Sequence, residues 1–208
     1  MRTTILRYGG VVASVILIVA GIGAIVVGAN GRSEINTDLK REAIVGTPDM
    51  TPVAIAKEAK AAGLKNVSLP TCSVAGQAID NGNRAKCFAS YMRIHALEAT
   101  GGQTYAQMGR YQGPNGTATN DEATALKDKS GKPIDNPVRN VWVTETALST
   151  ALNTSYFGQS VALFSIVMGI ALLLTGIGFL VLTTGLLSGV AAVRERRASP
   201  AQAQPLAH

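Results

Sequence analysis

The chain has 208 residues and a formal net charge of +6, and two uncharged hydrophobic stretches take a large share of its length. What remains suffices for one small domain, not two. Residues 29–160 are nearly balanced in charge, and much of the excess sits in short tails at Arg2, Arg7, Arg194, Arg196 and Arg197. Such tails mark membrane topology or contact with anionic headgroups; they exclude a nucleic-acid surface, which needs a clustered basic face with stacking aromatics.

After an N-terminal tail (1–10), residues 11–28 (VVASVILIVAGIGAIVVG) are an unbroken apolar and small-residue run. About 20 apolar residues cross a hydrocarbon core of ~30 Å, so the run is just long enough for a first transmembrane helix. Val27, Gly28 and Ala29 also offer the small residues of a signal-peptide cut. The run exceeds the signal core of about 7–15 residues, which favours an uncleaved anchor.

Residues 29–160 form the polar segment. Glu42 to Val45 read as a short extended piece. Thr51-Pro52 starts a helix, with Thr as N-cap and Pro in the first turn, and Gly63 ends it. A second helix spans 83–100 and stops at Gly101-Gly102, with Phe88, Tyr91, Met92 and His95 on one packing face. Residues 103–137, rich in Gly, Asn, Asp, Lys and Pro, read as loop, with a short helix at 121–129 between Asn120 and Gly131. The last helix starts at Asn136-Pro137 and lines one side with Val141, Leu148 and Leu152. No breaker but Gly158 follows, so it is expected to run straight into the second span as a stalk. Cys72 and Cys87 are the two cysteines of the chain. In an oxidising compartment they pair most simply as a disulfide, worth about 3 kcal/mol for a loop of this size in the chain-entropy model.

Residues 161–187 are the second transmembrane helix, longer than one bilayer and accommodated by tilt. Arg194, Arg196 and Arg197 follow it directly, whereas no Lys or Arg occurs in 141–160. The positive-inside bias therefore places the C-terminus in the cytoplasm, the N-terminus with it, and 29–160 outside. Ala20, Ala24 and Gly28 repeat on one helix face, and Gly185 and Gly189 form a GxxxG, so these are the expected helix-contact positions. The C-terminal tail, 188–208, is cytoplasmic, and its Ala/Pro/Gln-rich end is expected to be disordered.

The chemistry is mostly negative. The histidines, His95 and His208, fall on opposite sides of the membrane in this layout, so no facial triad of two His and one carboxylate forms within a chain. Cys72, Cys87 and His95 lack zinc-site spacing, and no metal or other cofactor is expected. No GxSxG, Walker A, GxGxxG or HExxH motif occurs, and neither span holds an ionisable residue to carry an ion path. His95 and Tyr91, with Asp80 and Glu98 near, are the residues that a ligand pocket would have to gather.

The segments TCSVAGQAIDNGNRAKCFASYMRIHALEATGGQTYAQMGRY (71–111) and RNVWVTETALSTALNTSYF (139–157) resemble a family of uncharacterised actinobacterial two-span membrane proteins. Members are often labelled automatically as aromatic-ring-opening dioxygenases. The resemblance implies the same layout and carries no catalytic residues; the histidine count does not support the label. The expected fold is mainly α, two transmembrane helices flanking a small, mostly helical, disulfide-tied extracytoplasmic domain. The expected function is a non-enzymatic accessory or docking subunit of an envelope complex, touching the lipid bilayer and a protein partner or second copy. An envelope enzyme or small-ligand binder is the alternative.

Overall fold

A computed structural model describes the backbone of residues 2–198 and the side chains of residues 8–185. Its elements are α1 (Arg2–Arg41), α2 (Pro52–Ala61), α3 (Gly82–Ala99), β1 (Tyr111–Gln112), β2 (Ala118–Thr119) and α4 (Arg139–Ala198). The chain divides into two compact units: one takes residues up to Asn30 and from Ala162 onward, the other is Gly31–Val161. Gly189 and His208 lie outside the described side chains, as does the chain after Ala198.

The first unit is an antiparallel helix pair. A Cβ on Gly28 would meet the Ala162 carbonyl at 2.5 Å, on Gly21 that of Gly169 at 2.7 Å, and a Cβ on Gly176 that of Ser14 at 2.9 Å. As the residue number rises on α1, it falls on α4. The buried positions Ser14, Gly21 and Gly28 face Ala162, Gly169 and Gly176, each set spaced by seven. This is the heptad seam of a left-handed pair, in which small residues let the backbones approach. Within the chain, this seam differs from the expected contact face. Gly28 lies on the seam, Ala24 is half-buried beside it, and Ala20 points away from it; a Cβ on Gly185 would meet nothing within 4 Å. A spacing of four drifts off a seam whose period is 3.5.

Both helices outrun their apolar stretches. Two candidate spans, Tyr8–Arg41 and Arg139–Gly185, are long and apolar enough to cross a membrane. α1 continues to Arg41 because Ile35 and Leu39 pack into the core of the second unit. α4 is unbroken from Arg139, as its lack of breakers implied.

That core is built around α3, whose Ala85, Tyr91 and Ile94 are buried together with Ile55 of α2 and Val74, Ile79 and Trp142. α3 buries more of its circumference than one stripe, so Ile94 and Leu97 join the expected Tyr91, while Phe88 and Met92 are half-buried. Thr51 caps α2, its hydroxyl accepting from the Ala54 N–H at 3.2 Å. Gly63, at φ +67°, closes the helix, with the Leu64 N–H returning to the Ala59 carbonyl. α3 starts one residue earlier than expected, with Asn81 as the cap. Cys72 and Cys87 are joined in a disulfide.

Of the extended piece expected at 42–45, Glu42 and Ala43 instead turn out of α1, and extended backbone bridges only from Val45, with Gly46, to Ala78 and Ala75. The short helix expected at 121–129 is absent. Leu126 instead pairs in extended form, its N–H donating to the Gln112 carbonyl and its own carbonyl accepting from Ile134. Gln112 of β1 and Ile134 of the segment before α4 are those partners, and a helix at 121–129 would leave them unpaired. On the first turns of α4 the inner face is Trp142, Glu145 and Leu152, with Val141 half-buried; Leu148 is exposed, contrary to the expected stripe.

Candidate functional site

His95 lies on the penultimate turn of α3, between the buried Ile94 and Ala96. On one side it lines an open, mainly apolar cleft of about 580 Å³. Met92, Ala96 and Ala99 of α3 form one wall; Val141, Thr144 and Glu145 of α4 form the other. Glu145 is 6% exposed and accepts from the Ser149 hydroxyl at 2.8 Å. Trp142 anchors the α4 wall, its indole N–H donating to the Gln103 carbonyl at 2.8 Å just beyond α3.

On its other side His95 faces three carboxylates. Nε2 lies 3.4 Å from Asp49 Oδ2, and Nδ1 lies 3.8 Å from Glu58 Oε2 and 3.9 Å from Glu98 Oε2. Asp49 belongs to the turn before α2, Glu58 to α2, and Glu98 to the same helix as His95, three residues on. A hydrogen bond from Thr47 holds the Asp49 carboxyl below the ordinary aspartate range; partial burial opposes this and the nearby imidazole adds to it. An imidazole among carboxylates can hold a proton between them or offer a mixed nitrogen and oxygen donor set to a cation.

Of the residues singled out in the sequence, His95 and Glu98 come together here. Tyr91 does not: it is fully buried and its hydroxyl donates to the Cys72 carbonyl, so burial pushes its phenol above the ordinary range. Asp80 is bound at the other end of α3, accepting from Arg84 at 2.7 Å. Asp49, Glu58 and Glu145 are the residues the sequence reading missed. The spacing of His95 and Glu98 was visible; no local pattern ties Asp49 or Glu58 to them. Two smaller hollows, at the end of α2 and under the hairpin, gather no carboxylate or histidine. Both cysteines are bonded, so neither is a thiol nucleophile.

Fold and site together define a mainly helical protein with two candidate membrane spans and a disulfide-tied unit bearing a histidine-edged cleft. Compared with protein families, curated proteins and solved structures, the chain matches none.

Proposed function

We propose that the chain is a two-span accessory subunit of the cell envelope, with both termini cytoplasmic, whose unit Gly31–Val161 docks a partner protein in the cleft between α3 and α4. The cleft carries this reading: its walls are apolar, it is open, and Met92, Ala96 and Val141 can accept a partner's apolar side chains. The helix pair supports the anchor. Only 11% of the most apolar window of each span is buried, and Val19, Val27, Phe164 and Leu174 are exposed. Water penalises so much exposed apolar surface, and lipid does not. The arginines after residue 193 support the orientation. The resemblance to the actinobacterial two-span family implies the same layout.

A photo-crosslinking residue placed at Ala99 or Thr144 is expected to capture the same partner, and one at Ser130 to capture none. Pull-down in mild detergent with mass spectrometry reads the result. A chain that runs alone, with neither partner nor self-association, overturns the reading. A reporter fused at Gly116 that proves cytosolic overturns the orientation.

The volume of the cleft favours a second reading, since small-ligand pockets run to about 300–1,000 Å³. In that case native mass spectrometry finds a small apolar molecule on the purified chain, displaced by Ala99→Trp.

A further inference from the structure

We propose that Asp49, Glu58 and His95 form a binding site for one divalent cation of borderline hardness, Zn²⁺ or Mn²⁺. The proposal does not rest on the docking reading, because it uses the side of His95 that faces away from α4.

One donor atom from each of the three residues lies within 4.8 Å of the others. Each stands on separately anchored backbone. Asp49 sits in a turn closed by the Met50 N–H donating to the Thr47 carbonyl at 3.0 Å. Glu58 projects from α2, which buries Ile55 and Ala59 to either side of it. His95 is set by the packing of Ile94 and Ala96. Three elements therefore hold the donors near one point before any ion arrives, which lowers the ordering cost of binding.

Charge argues in the same direction. Glu98 adds a third carboxylate within 3.9 Å of the ring. Among the described residues, no Lys or Arg nitrogen comes within 4.0 Å of Asp49, Glu58 or Glu98. A protonated imidazole offsets one of three negative charges. A divalent cation offsets two and leaves the ring as a neutral donor.

The donor types select the metal. An imidazole nitrogen beside carboxylate oxygens suits Zn²⁺ or Mn²⁺, whereas Ca²⁺ and Mg²⁺ prefer all-oxygen shells. All three side chains are half-buried, so rotation about their outer bonds can draw the donors in to about 2.0–2.2 Å from a metal. Asp49 lies nearest Nε2 and Glu58 nearest Nδ1, so a turn of the ring presents one nitrogen to the ion and leaves the other N–H to donate to a carboxylate, the arrangement that orients a metal-bound ring. Water completes the shell.

The test titrates the full-length chain in detergent, after chelator treatment and dialysis, with Zn²⁺, Mn²⁺ and Mg²⁺ in separate calorimetric runs. One equivalent of Zn²⁺ or Mn²⁺ is expected to bind more tightly than Mg²⁺. Glu58→Gln and His95→Gln should each weaken it by at least about 10-fold, and Asp128→Asn should leave it unchanged. Circular dichroism checks that the variants keep their helices. If they do not, the unaltered chain still decides the matter: bound metal should slow carbethoxylation of His95, mapped by mass spectrometry. No saturable binding, Mg²⁺ binding as tightly as the other two, equal binding by the two variants, or His95 modification indifferent to metal overturns the site.

Discussion

Cys87 and Tyr91, one turn apart on α3, both hold Cys72: Cys87 through the disulfide, and Tyr91 through its hydroxyl, which donates to the Cys72 carbonyl at 2.5 Å. The segment before α3 is thus tied by a covalent bond and a hydrogen bond at one residue. Tyr91→Phe should cost about 1 kcal/mol by leaving that carbonyl unpaired, and replacing both cysteines by serine about 3 kcal/mol. Because the two ties restrain the same segment, the combined variant should depart from the sum. Urea unfolding of the detergent-solubilised chain measures all three; strict additivity would show that the ties act independently.

Tyr91 also predicts a loss of stability in alkali. Its buried phenol is held above the ordinary value of 10.0, so the folded chain keeps the proton that the unfolded chain releases first. Proton release then favours unfolding: the contribution of Tyr91 is level below pH 10 and is lost as pH rises past it. Tyr91→Phe should make the fall in stability shallower, leaving the share of Tyr111. Absorbance of the phenolate should show two of the five tyrosines, Tyr91 and Tyr111, ionising late in the folded chain, and one fewer in Tyr91→Phe.

In the helix pair, glycines two residues apart should behave oppositely. A Cβ at Gly21 would sit 2.7 Å from both the Gly169 carbonyl oxygen and the Leu173 nitrogen, atoms of backbone that cannot turn aside. Gly21→Ala should therefore cost about 1–3 kcal/mol. A Cβ at Gly23 would meet nothing within 4 Å, and Gly23→Ala should stabilise the helix by about 0.5–1 kcal/mol. Thermal unfolding in micelles checks the pair; equal effects would mean that the seam does not run through Gly21.

Gln159 joins three helices. Its side-chain carbonyl accepts from the Gly82 N–H at 2.7 Å, capping the start of α3 from α4, and its amide donates to Asn36 of α1 at 3.2 Å. Gln159→Leu keeps the bulk but leaves a buried N–H without its acceptor, at a cost of about 1–3 kcal/mol. Gly82→Ala should destabilise comparably, since its Cβ would lie 2.8 Å from Tyr156 Cα. Hydrogen exchange at the first turn of α3 should quicken in both variants.

Much of the secondary structure was legible because its signals are local. The apolar runs, the Thr51-Pro52 start, the stop at Gly63 and the uninterrupted course of α4 each depend on residues within a turn or two of one another. A capping hydroxyl or a left-handed glycine acts on the backbone beside it, whatever lies farther away. The cysteine pair needed only that there be two of them. The segment at 121–129 failed for the converse reason: its helix signals were local, but Gln112 and Ile134 offered its backbone a better set of partners from a distance.

Contact faces and the site were settled by packing. Ala20 and Gly21 are both small, and it is the heptad register of α1 against α4 that buries one and not the other. Asp49, Glu58 and His95 carry no mutual spacing that a linear reading could detect. They meet because Ile55 and Ile94 share a core, which brings α2 against α3 and closes the turn before α2 onto the same place. Burial of apolar surface is non-directional, so the positions that come together depend on how all the helices fill space at once.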